Sequence, residues 1–292
     1  MDVNHPSPSA SEQLHEAYFG HTHTTLIRPR SGWHLPDFRE IWAYRELLWV
    51  LALRDVRVRY KQAVLGAAWA LIRPLLQMLI FTVLFGRLAK IPSDGVPYSV
   101  FVFAGLLPWT FFATTVAASS GSLVASANLV SKVYFPRLIV PAASMGSALV
   151  DFMVSLLLLL LLMLWQGVGF SAGMLLAPVL MLGMITLAMG VGTLLAAISV
   201  TYRDVAQVVP FVIQLWMFAT PVIYPASFIP EQWRWVLLVN PMTGYTEAFR
   251  ASVLGTPIDW TMLGVSVLTS IILLVIGIAY FQRVEQRFAD VI

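Results

Sequence analysis

The sequence contains no cysteine and few charged residues, and both absences limit what the chain can be. Without cysteine it has no disulfide, no thiol nucleophile and no cysteine-ligated zinc. Charged residues make up 11% of the 292 residues and apolar residues 59%, and most charges lie between long apolar stretches. Because this pattern leaves little sequence for a soluble domain, the composition predicts a protein that lies mostly in a membrane.

The sequence also lacks the motifs of several enzyme and binding classes. No glycine-rich loop ends in Gly-Lys-Ser or Gly-Lys-Thr, so we expect no P-loop nucleotide site. Gly190-Val-Gly192 lies inside an apolar stretch, where close helix packing is its expected role. His21 and His23 have no third metal ligand near them, and Asp151 has no second carboxylate. We therefore expect no catalytic residue, metal site or cofactor in this chain, and no nucleic-acid partner.

Six apolar stretches are long enough to cross a bilayer as helices. About 20 apolar residues are needed to cover a hydrocarbon core of roughly 30 Å. The stretches are evenly apolar and lack the alternation of barrel strands, so the predicted fold is an all-α integral membrane domain over residues 64–292. The predicted spans are Val64–Phe85, Val100–Ala118, Ile139–Trp165, Met174–Val200, Val208–Tyr224 and Trp260–Phe281.

The distribution of Lys and Arg predicts the orientation. Outside the spans, thirteen lie on the side of the N-terminus, and only Arg87, Lys90, Arg234 and Arg250 lie on the other. Positive charge accumulates on the cytoplasmic side of membrane proteins. Both termini are therefore expected in the cytoplasm.

Two regions are predicted before the first span. Residues 1–32 are expected to be a disordered tail, and residues 33–63 to be an amphipathic helical region on the cytoplasmic surface. Arg54, Arg57 and Lys61 are spaced to share one stripe of a helix. This stripe is either a basic flank attracted to anionic membrane lipids or a docking surface for a cytoplasmic partner.

Arg73 and Asp151 are charges within predicted spans and require a physical reason. An arginine at mid-helix costs roughly 2.5–3.5 kcal/mol on insertion scales. Arg73 and Asp151 lie at similar depths from the cytoplasmic ends of spans one and three, so we expect them to pair or to face one hydrated cavity. The alternative is that Arg73 extends to the cytoplasmic headgroups. Pro74 favours a kink or an irregular turn beside it.

Aromatic residues are concentrated in spans two and five and in the connection that follows span five. Packing or interfacial belts explain many such residues. The alternative is a conduit, where flat rings stack on sugar faces and let a glycan slide; its candidates are Trp109, Phe111, Phe112, Trp216, Phe218 and Tyr224. In the connection Tyr224–Asp259, the apolar pattern predicts two short amphipathic outer helices separated at Asn240-Pro241.

Six runs of sequence together resemble the membrane subunit of type-2 ATP-binding-cassette exporters for polysaccharides, the family of O-antigen, capsule and teichoic-acid exporters. They occur in family order and at family spacing between Arg54 and Arg250. The runs are Arg54-Asp-Val-Arg-Val-Arg-Tyr-Lys-Gln with Leu65-Gly-Ala-Ala-Trp69, Gly105-Leu-Leu-Pro-Trp-Thr-Phe-Phe112, Asn128-Leu-Val-Ser-Lys-Val-Tyr-Phe-Pro-Arg137, Tyr202-Arg-Asp-Val205, Thr220-Pro-Val-Ile-Tyr-Pro225, and Asn240-Pro-Met-Thr-Gly244 with Glu247-Ala-Phe-Arg250.

The resemblance implies a homodimer in the bacterial inner membrane that binds two copies of a separate ATPase, with the polysaccharide path between the two membrane subunits. ATP and Mg²⁺ would be bound by that ATPase. The residues expected to transmit its motion are Arg54, Asp55, Arg57, Lys61, Lys132, Tyr134, Phe135, Pro136, Arg137, Tyr202, Arg203 and Asp204. Re-entrant outer helices between spans five and six would form a periplasmic gate that includes Pro225, Trp233, Trp235, Asn240 and Pro241.

The expected function is ATP-driven export of a polysaccharide linked to a lipid carrier, without chemistry performed by this chain. One alternative is a type-2 exporter of small drugs or lipids. A second alternative, from another class, is an ATP-independent flippase or a membrane glycosyltransferase.

Overall fold

The computed structural model describes residues 38–61, 68–202, 204–285 and 288, and all of these belong to one compact unit. The predicted tail 1–32, with His21 and His23, lies outside the described residues. So do the first residues of predicted span one, Arg203 and the side chain of Lys61.

The described residues form helices joined by turns and contain no strand. A π-helical segment, Thr82–Leu88, extends α3, and short 3-10 turns cover Ala172–Leu176, Ala226–Phe228 and Glu231–Trp233. In chain order the α-helices are α1 (Phe38–Ala43), α2 (Arg45–Lys61), α3 (Ala68–Phe81), α4 (Tyr98–Ala125), α5 (Ala127–Lys132), α6 (Ile139–Ala143), α7 (Met145–Trp165), α8 (Ala177–Thr201), α9 (Val205–Ala219), α10 (Arg234–Val239), α11 (Pro241–Leu254) and α12 (Trp260–Glu285).

Five helical segments in the described part of the chain are long and apolar enough to cross a membrane. They are Ala68–Leu88, Tyr98–Ala125, Ile139–Trp165, Ala172–Thr201 and Trp260–Glu285. The all-helical membrane fold is thus confirmed, and these segments match predicted spans one to four and six. Helix α3 continues through Pro74 without ending there, because the residues on both sides keep helical geometry.

The predicted fifth span differs in length from the others. Helix α9 has 15 residues, which corresponds to about 22 Å at 1.5 Å per residue. Beyond Ala219 the chain leaves the helix, and the Tyr98 hydroxyl donates a hydrogen bond of 2.7 Å to the carbonyl of Ile223. Since Tyr98 is the first residue of α4, the segment after α9 reaches the level at which α4 begins.

Helix α4 lies at the centre of the main hydrophobic core. Its sequence is apolar on all sides, and most of its side chains are buried. Helices α7, α8, α9, α11 and α12 contribute side chains to the same core. Because a helix satisfies its backbone internally, such an evenly apolar segment is stable when surrounded by other helices.

Helices α8 and α12 pack backbone against backbone. A Cβ atom added to Gly190 would lie 2.5 Å from the backbone nitrogen of Leu274, and one added to Gly277 would collide with the Gly190 carbonyl. Only glycine permits such close approach. The close packing predicted for Gly190 is therefore confirmed.

A second hydrophobic cluster, which we name the basal cluster, lies at the end of the helices where α4 and α8 finish. It joins α2, the segment after α5, the end of α8 and the end of α12. Its buried members are Leu51, Ala52, Leu123, Val130, Phe135, Ile139, Val140, Ala143, Ala196, Ala197, Val200, Phe281 and Phe288.

Candidate functional site

Asp151 on α7 is paired with α2, and this corrects the predicted pair with Arg73. The Asp151 carboxylate lies 3.0 Å from the Arg59 guanidinium and accepts a hydrogen bond from the Tyr60 hydroxyl. Arg59 also donates to the Ser147 hydroxyl at 3.1 Å. The sequence argument matched depths between two spans. It missed α2, which lies against α7 and supplies two donors.

Arg73 is exposed on α3. Its guanidinium lies over the Trp69 ring, 5.8 Å from the ring centroid. A cation held over an indole face in this range gains electrostatic attraction. Among the described ion pairs, Asp151 is bonded to Arg59 instead, so Arg73 does not take the partner predicted for it.

The α2–α7 contact is also closed by tight packing at a second point, seven residues before Arg59 on α2 and five before Asp151 on α7. A Cβ atom added to Gly146 would lie 2.8 Å from the Cβ of Ala52, closer than side-chain carbons normally approach. Burial and the Asp151 hydrogen bond raise the pKa of Tyr60 to about 12, so its hydroxyl stays protonated and donates to the carboxylate. The contact thus combines apolar packing with a satisfied polar group.

Residues predicted to transmit motion surround the basal cluster. Arg54, Arg57, Lys132, Tyr134, Tyr202 and Asp204 are exposed, and Pro136 is half-buried. Asp55 is occupied by Arg54, at 2.9 Å, in a partly exposed pair that contributes little to stability. Phe135 is buried and so cannot itself meet a partner; it anchors the loop to the cluster. The structure therefore brings these segments to one end of the helices.

The loop that carries Lys132–Arg137 is held from two sides. The Arg137 backbone amide donates to the Glu285 carboxylate at 3.1 Å, and its guanidinium donates to the Glu285 carbonyl. The Tyr134 hydroxyl lies 3.4 Å from Glu40 of α1, and burial together with this carboxylate raises the pKa of Tyr134. Sequence analysis missed Glu285, because nothing in its local pattern distinguishes it from an ordinary helix-end acid.

Three of the predicted conduit aromatics are packing residues of the protomer, which corrects their assignment. Trp109, Phe111 and Phe112 are at most 3% exposed. The Trp216 ring lies 6.4 Å from that of Trp109 and 5.1 Å from that of Phe112, both edge to face. Such pairs stabilise a core. Rings enclosed in this way have no face left for a sugar.

Of the other three predicted conduit aromatics, Trp216 is half-buried against Trp109 and Phe112, and two lie nearer the surface. Phe218 near the end of α9 is 48% exposed. The half-buried Tyr224 donates a hydrogen bond of 3.2 Å from its hydroxyl to the Phe218 carbonyl. These two residues keep an accessible ring or edge.

The predicted gate residues divide into a buried and an exposed group. Pro225 and Pro241 are buried, whereas Trp233 and Trp235 are 55% and 60% exposed. Asn240 accepts hydrogen bonds from the Trp216 indole at 2.8 Å and from the Met242 amide at 3.1 Å. Its amide nitrogen donates to the Thr220 hydroxyl at 2.8 Å. Asn240 therefore caps α11 and fastens it to the end of α9.

Arg250 of α11, one of the four basic residues counted in the outer connections, is buried. Its guanidinium donates to the carbonyls of Pro221 and Val222 at 2.6 Å and 2.9 Å and to Glu247 at 2.8 Å. It also lies 4.0 Å from the centre of the Phe101 ring. Arg250 thus joins α11, the segment after α9 and α4. The i, i+3 spacing from Glu247 was the one available signal.

Comparison with known proteins identifies the family. The sequence profile described as "ABC-2 type transporter" matches residues 46–254. The chain belongs to the ABC-2 type transporter family. The matched region covers all but the first residue of α2, the segments around Lys132–Arg137 and residues 202–204, and the Asn240 and Arg250 contacts.

Curated relatives of this ABC-2 chain are named for O-antigen export or for polysialic acid transport. It is 32% identical to "O-antigen export system permease protein RfbA" of Myxococcus xanthus over 255 residues, 86% of this chain and 97% of the relative. It is 27% identical to a protein of the same name from Klebsiella pneumoniae, over 85% of this chain and 95% of the relative. It is 26% identical to "Polysialic acid transport protein KpsM" of Escherichia coli, over 81% and 92%. The chain is accordingly a permease subunit of a type-2 ABC exporter.

Proposed function

We propose that this ABC-2 permease exports a polysaccharide, carried on an undecaprenyl-type lipid, across the bacterial inner membrane with energy from ATP. The observation that carries this proposal is similarity over 92–97% of their length to permeases named for O-antigen export and for polysialic acid transport. ATP and Mg²⁺ are bound by two copies of a separate ATPase subunit, consistent with the lack of a P-loop in this sequence.

The ATPases dock on the exposed residues around the basal cluster. Arg54, Arg57, Lys132 and Tyr202 are exposed there on separate segments that share one apolar anchor. A force applied to any of these segments is therefore passed to the ends of α4, α8 and α12. Re-entrant helices α10 and α11 form the gate on the opposite face.

Two copies of the chain enclose the path. Helix α3 has no buried side chain, and α9 has only Val209 buried. Exposed apolar residues on these helices, such as Leu79, Phe211 and Leu215, need cover from lipid or from a second subunit. A conduit formed by α9 of both copies presents Phe218 and Tyr224 to the glycan.

In this proposal the chain crosses the membrane six times, so both termini lie on the same face. The excess of Lys and Arg makes that face the cytoplasmic one. Helix α9 is shorter than a hydrocarbon core of about 30 Å, but the chain continues to Ile223, which is bonded to the first residue of α4. At its other end, Asp204 begins this segment four positions after Val200 of the basal cluster. These contacts support a sixth crossing by residues 204–223 beside α4, which is long and apolar enough to cross a membrane.

The test is purification of the tagged chain from its native membranes, followed by identification of copurifying ATPases. We expect one ATPase in equal amount, and hydrolysis that increases when a lipid-linked glycan from the same cells is added. Deletion of the gene should leave that glycan in the cytoplasm. Stimulation by small amphiphiles with no glycan retained would favour an exporter of drugs or lipids. Transport without any copurifying ATPase would favour an ATP-independent flippase.

A further inference from the structure

We propose that Asp151, Arg59 and Tyr60 form a latch that makes α2 and the first half of α7 move as one body. Asp151 is then a positioning residue through which motion of α2 reaches the membrane-spanning helices. The proposal rests on the proposed function, because it assumes an ATPase that moves α2, but the latch itself is a property of this chain.

The position of Asp151 indicates more than a surface ion pair. It is the one carboxylate in the interior of the five long apolar segments; the only other acid in them, Glu285, is the last residue of α12. A carboxylate in such a segment is costly unless it is paired. Both of its oxygens are used, one by the Tyr60 hydroxyl and the other by Arg59 at 3.0 Å.

Helices α2 and α7 are joined by a polar contact and by a separate apolar contact. Arg59 donates to Ser147 at 3.1 Å, so its guanidinium bonds two residues that are one turn apart on α7. Farther along α2, Ala52 fills the space over Gly146, and Leu51 and Ala52 belong to the basal cluster. A helix fixed at two points along its length cannot pivot about either one. Relative rotation of α2 and α7 would therefore break the ion pair or the close packing.

The latch gives α2 a direct mechanical route into the membrane domain. Helix α7 packs along α4, with Phe152 against Phe111, their ring centroids 5.8 Å apart. Phe152 follows Asp151 in the sequence, so displacement of the latch moves this aromatic contact. Packed helices shift as discrete bodies, by about 1–2 Å in many transitions.

The first measurement follows the distance between spin labels on α2 and α7 in the purified complex. The chain has no native cysteine, so Val50→Cys on α2 and Met153→Cys in the first half of α7, both at exposed sites, supply the only labels. Dilution with unlabelled chain leaves one labelled copy per assembly. On addition of ATP we expect the α2–α7 separation to change by less than about 2 Å. A change of a full helical turn, about 5 Å, would overturn the latch.

The second measurement breaks and restores the pair. In Asp151→Asn we expect a broader distance distribution, retained ATP hydrolysis and a severalfold loss of glycan exported per ATP. Exchange of the charges in Arg59→Asp/Asp151→Arg should restore the narrow distribution and part of the export. Glu46→Gln removes an exposed carboxylate from the same helix and serves as the matched control. Export and distances unchanged in Asp151→Asn would refute the proposal.

Failure of the latch and failure of the proposed function give different results. If no ATPase copurifies with the unsubstituted chain, the proposed function is wrong, while the distance distributions of the chain alone still report the latch. If the ATPase copurifies and export occurs, but α2 and α7 separate during the cycle, only the latch is wrong. An Asp151→Asn chain that does not fold is replaced by Asp151→Glu, which keeps the charge and lengthens the pair.

Discussion

Asp151 shows what the sequence reveals about a single residue and what it does not. A carboxylate inside an apolar stretch signals a paired or hydrated group, because an isolated charge there is costly. The sequence therefore identified Asp151 as special. It did not identify Arg59 and Tyr60 as the partners, since the approach of α2 to α7 depends on the small side chains at Gly146 and Ala52. The same limit explains the error over Trp109, whose burial depends on Trp216 more than one hundred positions away.

The Tyr60 hydroxyl gives a prediction for alkaline pH. Burial and Asp151 raise its pKa from 10.0 to about 12. The contribution of the Tyr60 hydroxyl to the free energy of unfolding is fully present below pH 10, where Tyr60 is protonated in both the folded and the unfolded chain. It is lost as the pH rises from 10 to about 12, because only the unfolded chain then releases the proton. Over this interval the melting temperature of wild type should fall more steeply than that of Tyr60→Phe.

The measurement is the difference in tyrosinate absorbance between wild type and Tyr60→Phe during a titration. We expect the difference to appear near pH 12, and to move toward pH 10 in Asp151→Asn, which keeps an amide oxygen as acceptor but removes the negative charge. A wild-type difference that already appears at pH 10 would show that the hydroxyl is not held by Asp151.

For the helices, the sequence predicted which segments are helical but not the residue at which each helix ends. Long apolar runs predicted five of the spans because length and composition alone decide whether a helix can cross the membrane. Helix α9 ends at Ala219 rather than Tyr224, because Thr220 precedes Pro221, and a proline disfavours helical geometry in the residue before it. The carbonyls of Pro221 and Val222 beyond the helix end bond to Arg250. The proline signal was present in the sequence, but the hydropathy that set the predicted end of the span does not report it.

The contact between α8 and α12 predicts opposite results for two glycines of one helix. In Gly277→Ala the new methyl group collides with the Gly190 carbonyl, so α12 must move away from α8. We expect a destabilisation of about 1–3 kcal/mol, typical of overpacking. In Gly264→Ala nothing lies within 4 Å of the new carbon, and the higher helix propensity of alanine favours folding by up to about 1 kcal/mol.

Melting temperatures of the two variants in the same detergent check this prediction. Gly277→Ala should melt below wild type, and Gly264→Ala at or above it. Equal melting temperatures would mean that α8 and α12 separate freely, against the packing described.

For the whole molecule, the unequal number of Lys and Arg residues on the two sides predicts how the chain is oriented in the membrane. The positive-inside argument counted Arg250 among the basic residues of the outer connections, and the structure places its side chain in the core. Without it, thirteen basic residues on one side face three on the other, so the expected orientation is unchanged. The pairing of two copies could not be derived from one chain, because a second subunit and lipid both cover apolar faces.

Cysteine labelling tests the six crossings directly, since the chain has no cysteine of its own. In intact cells an impermeant maleimide should label Asp94→Cys and Gln232→Cys, which lie in the predicted outer connections. We expect the maleimide to react with Glu46→Cys, Lys132→Cys and Asp204→Cys only after the cells are permeabilised. All five are exposed positions. Reaction of Asp204→Cys from outside would leave α9 without a crossing and contradict the topology.

The clamp around Arg250 has a consequence for biogenesis. Its described partners, Phe101, Pro221, Val222 and Glu247, all precede it in the chain. Ribosomes synthesise from the N-terminus, so each of these partners leaves the ribosome before residue 250 does. The Arg250 guanidinium can therefore bind partners that are already present and is not exposed to lipid without them. We expect α11 to pack into the membrane domain late during insertion.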